Sequence, residues 1–254
     1  MKRTFFLTLM RTASIPSLVS LVLLGTFSSC KEELILGEPV MKYSQTFIDG
    51  LYDDAKGVML TRSSYSHAYQ KGGKEKYNKQ EVPTGNSFSI LFYNGTACSS
   101  TNNAERFTEL CQQFGDTAFW ASKQNFFYNY YAEPIEKITI ISGKNYDRNH
   151  LAGTPLDDIV QFSTYTPYRL IQDGYPGVTD TEGSREFLGS HDYVDWKRLC
   201  DLGPEDLTLI EDGGTLIRFT SPPQVQNQPI TITVYFVNGK VLSNTQTINI
   251  TTAN

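Results

Sequence analysis

Apolar and polar residues alternate most cleanly over residues 86–93. There Phe88, Ile90 and Phe92 fall on one side of an extended chain, and Ser87, Ser89 and Leu91 on the other. A period of two marks a half-buried strand. Residues 135–141 give a second strand, rich in isoleucine, and the stretch from Tyr43 to Phe92 breaks into short strands separated by turns. The spacing turns helical over 101–114. Phe107, Leu110, Cys111 and Phe114 share one helix face, with Thr101 or Asn102 as the cap, Glu105 in the first turn and Gly115 as the stop. Between 117 and 131 rings crowd the chain (Phe119, Trp120, Phe126, Phe127, Tyr128, Tyr130, Tyr131). Most are expected to fill the core; the alternative is rings exposed on a sheet and stacked on sugars.

The last long stretch, 229–250, reads as a hairpin around Val237-Asn238-Gly239-Lys240. Asn-Gly favours a two-residue type I′ turn. That register would turn Leu242, Ile248 and Ile250 away from Ile230, Ile232, Val234 and Phe236, because one residue of slip flips every side chain. A three-residue loop over 237–239, with Gly239 left-handed, pairs Val234 with Leu242 and keeps one apolar face. The pattern therefore predicts a type I turn with a glycine bulge. These elements describe a mainly β chain of antiparallel β-sandwich type with a helical insertion near 101–115.

The N-terminal pattern is different. Lys2 and Arg3 precede a mostly apolar run over 15–27, interrupted by Pro16 and followed by Ser28 and Ser29, and no acid stands before Glu32. This is the grammar of a secretory signal. The run is shorter than the roughly 20 apolar residues a spanning helix needs. It leads directly into Cys30 without an Ala-x-Ala site, which resembles a bacterial lipoprotein signal, where the cysteine is acylated and the chain cut before it. Two or three acyl chains suffice for stable anchoring, at ~0.8 kcal/mol per buried CH₂. Lys31-Glu32-Glu33 resembles the short export signal that sends Bacteroidetes lipoproteins to the outer leaflet; the plainer reading is a solvated tether. The expected organisation is a signal peptide over 1–29, a tether over 30–42 and one β domain over 43–254.

Cleavage before Cys30 removes Lys2, Arg3 and Arg11 and no acid, moving the net charge from −5 to −8. An acidic chain without a basic cluster argues against nucleic acid and against electrostatic binding to anionic lipid. The lysines of the loop at 70–79 read as a solvated loop tip. Fifteen Tyr and fifteen Phe favour strands. Beyond Cys30 the cysteines are Cys98, Cys111 and Cys200. Cys98 and Cys111 are candidates for a disulfide worth about 3 kcal/mol; buried free thiols are the equal alternative.

Residues 145–160 carry a Asn145-Tyr-Asp147 turn, then His150-Leu-Ala-Gly153 and Leu156-Asp-Asp-Ile-Val160. This combination resembles an uncharacterised family of Bacteroidetes lipoproteins with Ig-like β-sandwiches, over roughly 133–175. The resemblance implies an Ig-like fold and an outer-membrane location and brings no established activity.

Asn145, Asp147 and Asn149 alternate like calcium-loop ligands. His150 stands where glycine is needed and Leu156 where Glu is needed, so a turn of side-chain-to-backbone bonds is the better reading. His67, His150 and His191 are scattered, and no zinc, nucleophile-elbow or phosphate-loop motif occurs, so no cofactor or metal is expected. The acid pairs 32/33, 53/54, 157/158 and 211/212 are adjacent, whereas glycoside hydrolysis needs two carboxyls across a cleft. Asp116-Thr117-Ala118 matches a loose O-glycosylation pattern at Thr117. The expected function is therefore non-catalytic: a surface-exposed, lipid-anchored protein with a binding or structural role at the outer membrane, its ligand an unknown glycan or protein. A pilus-type (fimbrillin-like) structural subunit is the runner-up and a polysaccharide hydrolase the third reading.

Overall fold

The computed structural model describes residues 43–63, 86–117, 119–121, 129–175 and 193–251. Among these the chain is mainly β. In chain order its strands are β1 (Tyr43–Gln45), β2 (Gly50–Asp53), β3 (Gly57–Arg62), β4 (Ser87–Tyr93) and β5 (Thr96–Ser99). Helix α1 (Ala104–Phe114) follows, then β6 (Phe119–Ala121), β7 (Asn129–Tyr131), β8 (Ile135–Ser142), β9 (Val160–Tyr165) and the short α2 (Tyr168–Gln172). The chain closes with β10 (Tyr193–Arg198), β11 (Leu216–Phe219), β12 (Asn227–Phe236) and β13 (Val241–Asn249). All described residues fall in one compact unit.

A five-stranded antiparallel sheet runs β10-β9-β11-β4-β3, and a three-stranded one runs β13-β12-β8. Their inner faces share one core. Leu60, Ile90, Phe162 and Ile217 of the larger sheet join Ile138, Ile140, Ile232 and Val234 of the smaller. Each such side chain stabilises by about 1.5–3 kcal/mol on leaving water. The alternation expected of 86–93 is present: Phe88, Ile90 and Phe92 are buried inward.

The hairpin has the expected register. Val234 pairs with Leu242 and Gln228 with Ile248. Phe236 N–H donates to Lys240 O, Gly239 N–H donates to Phe236 O, and Gly239 has φ 85°. Leu242 and Ile248 pack on the main core, and Ile250 is fully buried. Two polar residues share that face. Asn244 Nδ2 donates to Val58 O at 2.9 Å, and Leu60 N–H donates to Gln246 Oε1 at 2.7 Å. Side-chain amides of β13 thus occupy the edge of β3, joining the two sheets along a seam.

A second layer holds α1. Phe107, Leu110, Cys111 and Phe114 pack on Leu51, Cys98 and Tyr130 of the β5-β2-β7 sheet, in which β7 runs parallel to β2. The helix begins at Ala104, later than the sequence pattern expects. Neither Thr101 nor Asn102 caps it; Asn103 precedes it with φ 52° and no side-chain cap. The amides of Asn102 and Asn103 instead donate to Ala97 O, closing the turn out of β5. Gly115 ends the helix in the left-handed region, as expected.

Candidate functional site

On the larger sheet Phe162 and Ile217 point to the core, so their strand neighbours point outward: Gln161 and Ser163 from β9, and Arg218 from β11. Arg218 also pairs in register with Ser87 of β4. On the far side of β9, the pairing of β10 slips between Val194 and Lys197, leaving Asp195 and Trp196 at a bulge. Trp196 adopts φ 32°, uncommon for a bulky residue. Bulges re-aim side chains, and such backbone strain gathers at functional sites.

Arg218 reaches over β9 towards that ring. Its Nε–H donates to Gln161 Oε1 at 2.6 Å, and its guanidinium carbon lies 4.1 Å from the Trp196 ring centroid. Such a stack contributes about 0.5–2 kcal/mol. The terminal guanidinium nitrogens make no hydrogen bond or ion pair among the described residues. Burial holds Arg218 below its ordinary pKa, against the opposing pull of Asp195 and Tyr193. Two further polar atoms on these strands are buried without a partner, Trp196 Nε1 and Ser87 Oγ. The Tyr165 and Tyr193 rings lie beside each other, centroids 5.0 Å apart, with the Tyr193 hydroxyl 2.7 Å from Ser163 Oγ. Native interiors leave few such atoms unsatisfied. A partly exposed aromatic ring, a half-buried cation and two buried polar atoms without a partner therefore lie together on one side of the sheet.

The residues expected from sequence lie elsewhere. Cys30, Lys31, Glu32 and Glu33 lie outside the described residues, as do His67, His191, the 70–79 loop, Phe126, Phe127 and Tyr128. Cys98 and Cys111 are free thiols, so the candidate disulfide is corrected to the alternative of two buried thiols. Both pack as small apolar groups beneath α1, and burial pushes Cys111 up to about 12. Thr117 is exposed. Its neighbour Asp116 is fully buried and accepts from Phe47 N–H, Ile48 N–H and the Tyr175 hydroxyl. Burial raises the Asp116 carboxyl above its ordinary pKa while those three hydrogen bonds pull it down. Phe119, Tyr130 and Tyr131 are core residues, as expected of most of the aromatic stretch.

The turn at 145–150 is built as expected. Asp147 Oδ1 accepts from the backbone of Asn149 and His150, and Asn145 Oδ1 from Ala152. His150 itself sits between two acids, Nδ1 at 2.8 Å from Asp147 Oδ1 and Nε2 at 3.0 Å from Asp158 Oδ1. Of the other paired acids, Asp53 binds Arg106, Asp54 binds Lys56 and Asp212 accepts from the Tyr131 hydroxyl. Among the described residues no group of three His, Cys, Asp or Glu is arranged to hold a metal ion. No described helix is long and apolar enough to cross a membrane.

Sequence reasoning missed Trp196 and Arg218. The signal available was Arg218 itself, a single cation inside the apolar run Leu216-Ile217-Arg218-Phe219. The chain matches no family model, no curated protein and no solved structure.

Proposed function

We propose that this chain is a non-catalytic, lipid-anchored protein of the outer membrane that binds a glycan through the outer face of its five-stranded sheet. Cys30 carries the lipid, Lys31-Glu32-Glu33 directs the chain to the cell surface, and Thr117 is a candidate glycan acceptor. Membership of the Bacteroidetes lipoprotein family, with an Ig-like strand arrangement, belongs to the same proposal. The observation that carries the binding function is Trp196. A strained backbone holds its ring at a bulge, its indole N–H is unpaired, and a guanidinium lies on its face. A tryptophan held only for packing has no need of that strain. Aromatic faces stack on the C–H faces of sugars, and the partly exposed Gln161 and Tyr193 nearby carry groups that both donate and accept, as sugar hydroxyls do.

Affinity electrophoresis of the full-length protein in detergent, through gels cast with different polysaccharides, tests the proposal. The wild type should be retarded in at least one gel. Trp196→Asn, whose side chain tolerates positive φ, should run unretarded. Equal retardation of both proteins would remove Trp196 from the site, and no retardation in any gel would sink the glycan reading.

A further inference from the structure

Along one edge β8 pairs with β12; along the other it meets the loop 143–159, which leads into β9. The loop folds back on the strand it has just left. Gly153 N–H donates to Ser142 O and Leu156 N–H to Ile140 O, each at 2.8 Å, and Ile141 bridges to Pro155. Ile140 N–H donates to Asp157 Oδ1 at 3.5 Å. An open strand edge offers unpaired N–H and C=O groups to other chains, and a covering loop closes it. Two side chains seat this cover. Leu156 and Tyr146 are both fully buried in the main core, and the Tyr146 hydroxyl donates to Ser221 O.

His150 joins the two ends of the loop. Asp147, on the outgoing part, meets Nδ1, and Asp158, on the returning part, meets Nε2. Two carboxylates facing two ring nitrogens are both satisfied only by the doubly protonated ring. A neutral imidazole has one N–H and turns a lone pair on the second acid. The acid left without its donor is then Asp158. Asp147 keeps the backbone N–H groups of Asn149 and His150, whereas Asp158 is exposed. The other charges nearby are engaged or face water: Arg198 of β10 binds Asp201, Lys137 of β8 lies 3.9 Å from Asp157, and Lys144 and Arg148 of the loop are exposed. Burial pushes the Tyr146 phenol up, so it carries no charge beside Asp147.

We propose that residues 143–159 form a proton-latched cover of the β8 edge, closed while His150 is an imidazolium and loosened at its returning end when that proton leaves. Asp147, His150 and Asp158 come one each from the three short motifs read at 145–160 in the sequence, and the latch gives those motifs a common purpose. Burial lowers the pKa of the ring, and the hydrogen bonds and charges of the two acids outweigh it. The folded value therefore lies above the unfolded one of about 6.5, so the latch is complete below that pH and is lost as pH rises through the folded value.

Amide hydrogen exchange of the full-length protein in detergent tests this, read at Gly153 and Leu156 from about pH 6 to about pH 8.5, with each rate divided by its intrinsic chemical rate at that pH. Protection of both amides is expected to fall roughly three- to tenfold over that range, the loss of one partly exposed charged hydrogen bond. Val234, in the middle of β12, should keep its protection. Asp158→Asn, whose amide can meet the ring in either protonation state, should show no change with pH, and nor should His150→Gln. Thermal melting confirms that both variants are folded. If His150→Gln does not fold, Asp158→Asn at its exposed position carries the test. Constant protection of Gly153 and Leu156 in the wild type overturns the latch, and so does an undiminished fall in Asp158→Asn.

Discussion

His150 is clasped by two carboxylates from one loop, Asp147 three residues before it and Asp158 eight after it. With both ring nitrogens facing carboxylate oxygens, the clasp suits an imidazolium that donates twice. Burial pushes the ring's pKa down, but hydrogen bonds and charge from the two acids outweigh it and hold the value above the ordinary one. A raised folded pKa gives stability that is complete below the unfolded value, about 6.5, and fades as pH rises through the folded value. His150→Gln should therefore cost about 1–2 kcal/mol at about pH 6 and clearly less at about pH 9. Paired thermal melts at the two pH values measure the difference, and a pH-independent cost would mean that the clasp is neutral. The polar turn around Asp147 was legible because its bonds are local. The second acid was not, since only the folded loop brings Asp158 to the ring. Asp116 is the same case at longer range: its acceptors' partners, Phe47 and Ile48, lie 69 and 68 residues earlier.

The elements divide along the same line. Hairpin β12–β13 could be derived to the residue because matching two apolar periods leaves one register, and the loop must then absorb the odd residue. A Cβ built on Gly239 meets no atom within 4 Å, so any cost of substitution comes from the backbone alone. Gly239→Val is expected to destabilise the domain by ~1 kcal/mol or more, because a β-branched residue resists positive φ; chemical denaturation reads it. An unchanged midpoint would mean that the loop rearranges freely. Asn244 and Gln246 were not legible, since polar residues on an apolar face make sense only once the edge of β3 lies against them. Asn244→Leu combined with Gln246→Leu strands a donor and an acceptor of β3 and should cost about 1–3 kcal/mol for each group left unmet. If the double variant melts with the wild type, water satisfies that edge equally well. The candidate site was hidden for a related reason. It is assembled from β9, β10 and β11, joined by pairings that no local pattern announces, and its bulge depends on those pairings.

At the scale of the molecule, the proposed anchor and the sheet face act at opposite ends of one argument, because a surface ligand is met only by a protein that reaches the surface. Cys30→Ser should abolish acylation and leave an uncleaved precursor or a soluble form. Partition into detergent with wild-type mobility would refute the lipid anchor. Replacing Lys31, Glu32 and Glu33 by Ala should keep the lipid and remove the protein from the outer leaflet. Protease shaving of intact cells reads this, and equal digestion of both forms would reduce the triplet to a tether. The seam between β3 and β13 has a consequence in time. Val58 and Leu60 meet side chains that lie 186 residues later in the chain. Synthesis runs from the N-terminus, so β3 exists long before its cover, and closing so distant a contact is slow. Until β13 emerges, β3 is a bare edge of the kind that recruits strands from other chains. A polypeptide halted just before residue 241 is thus expected to associate edge to edge, and sedimentation of that truncated product against the complete one would show whether the last strand is also the chain's safeguard during its own manufacture.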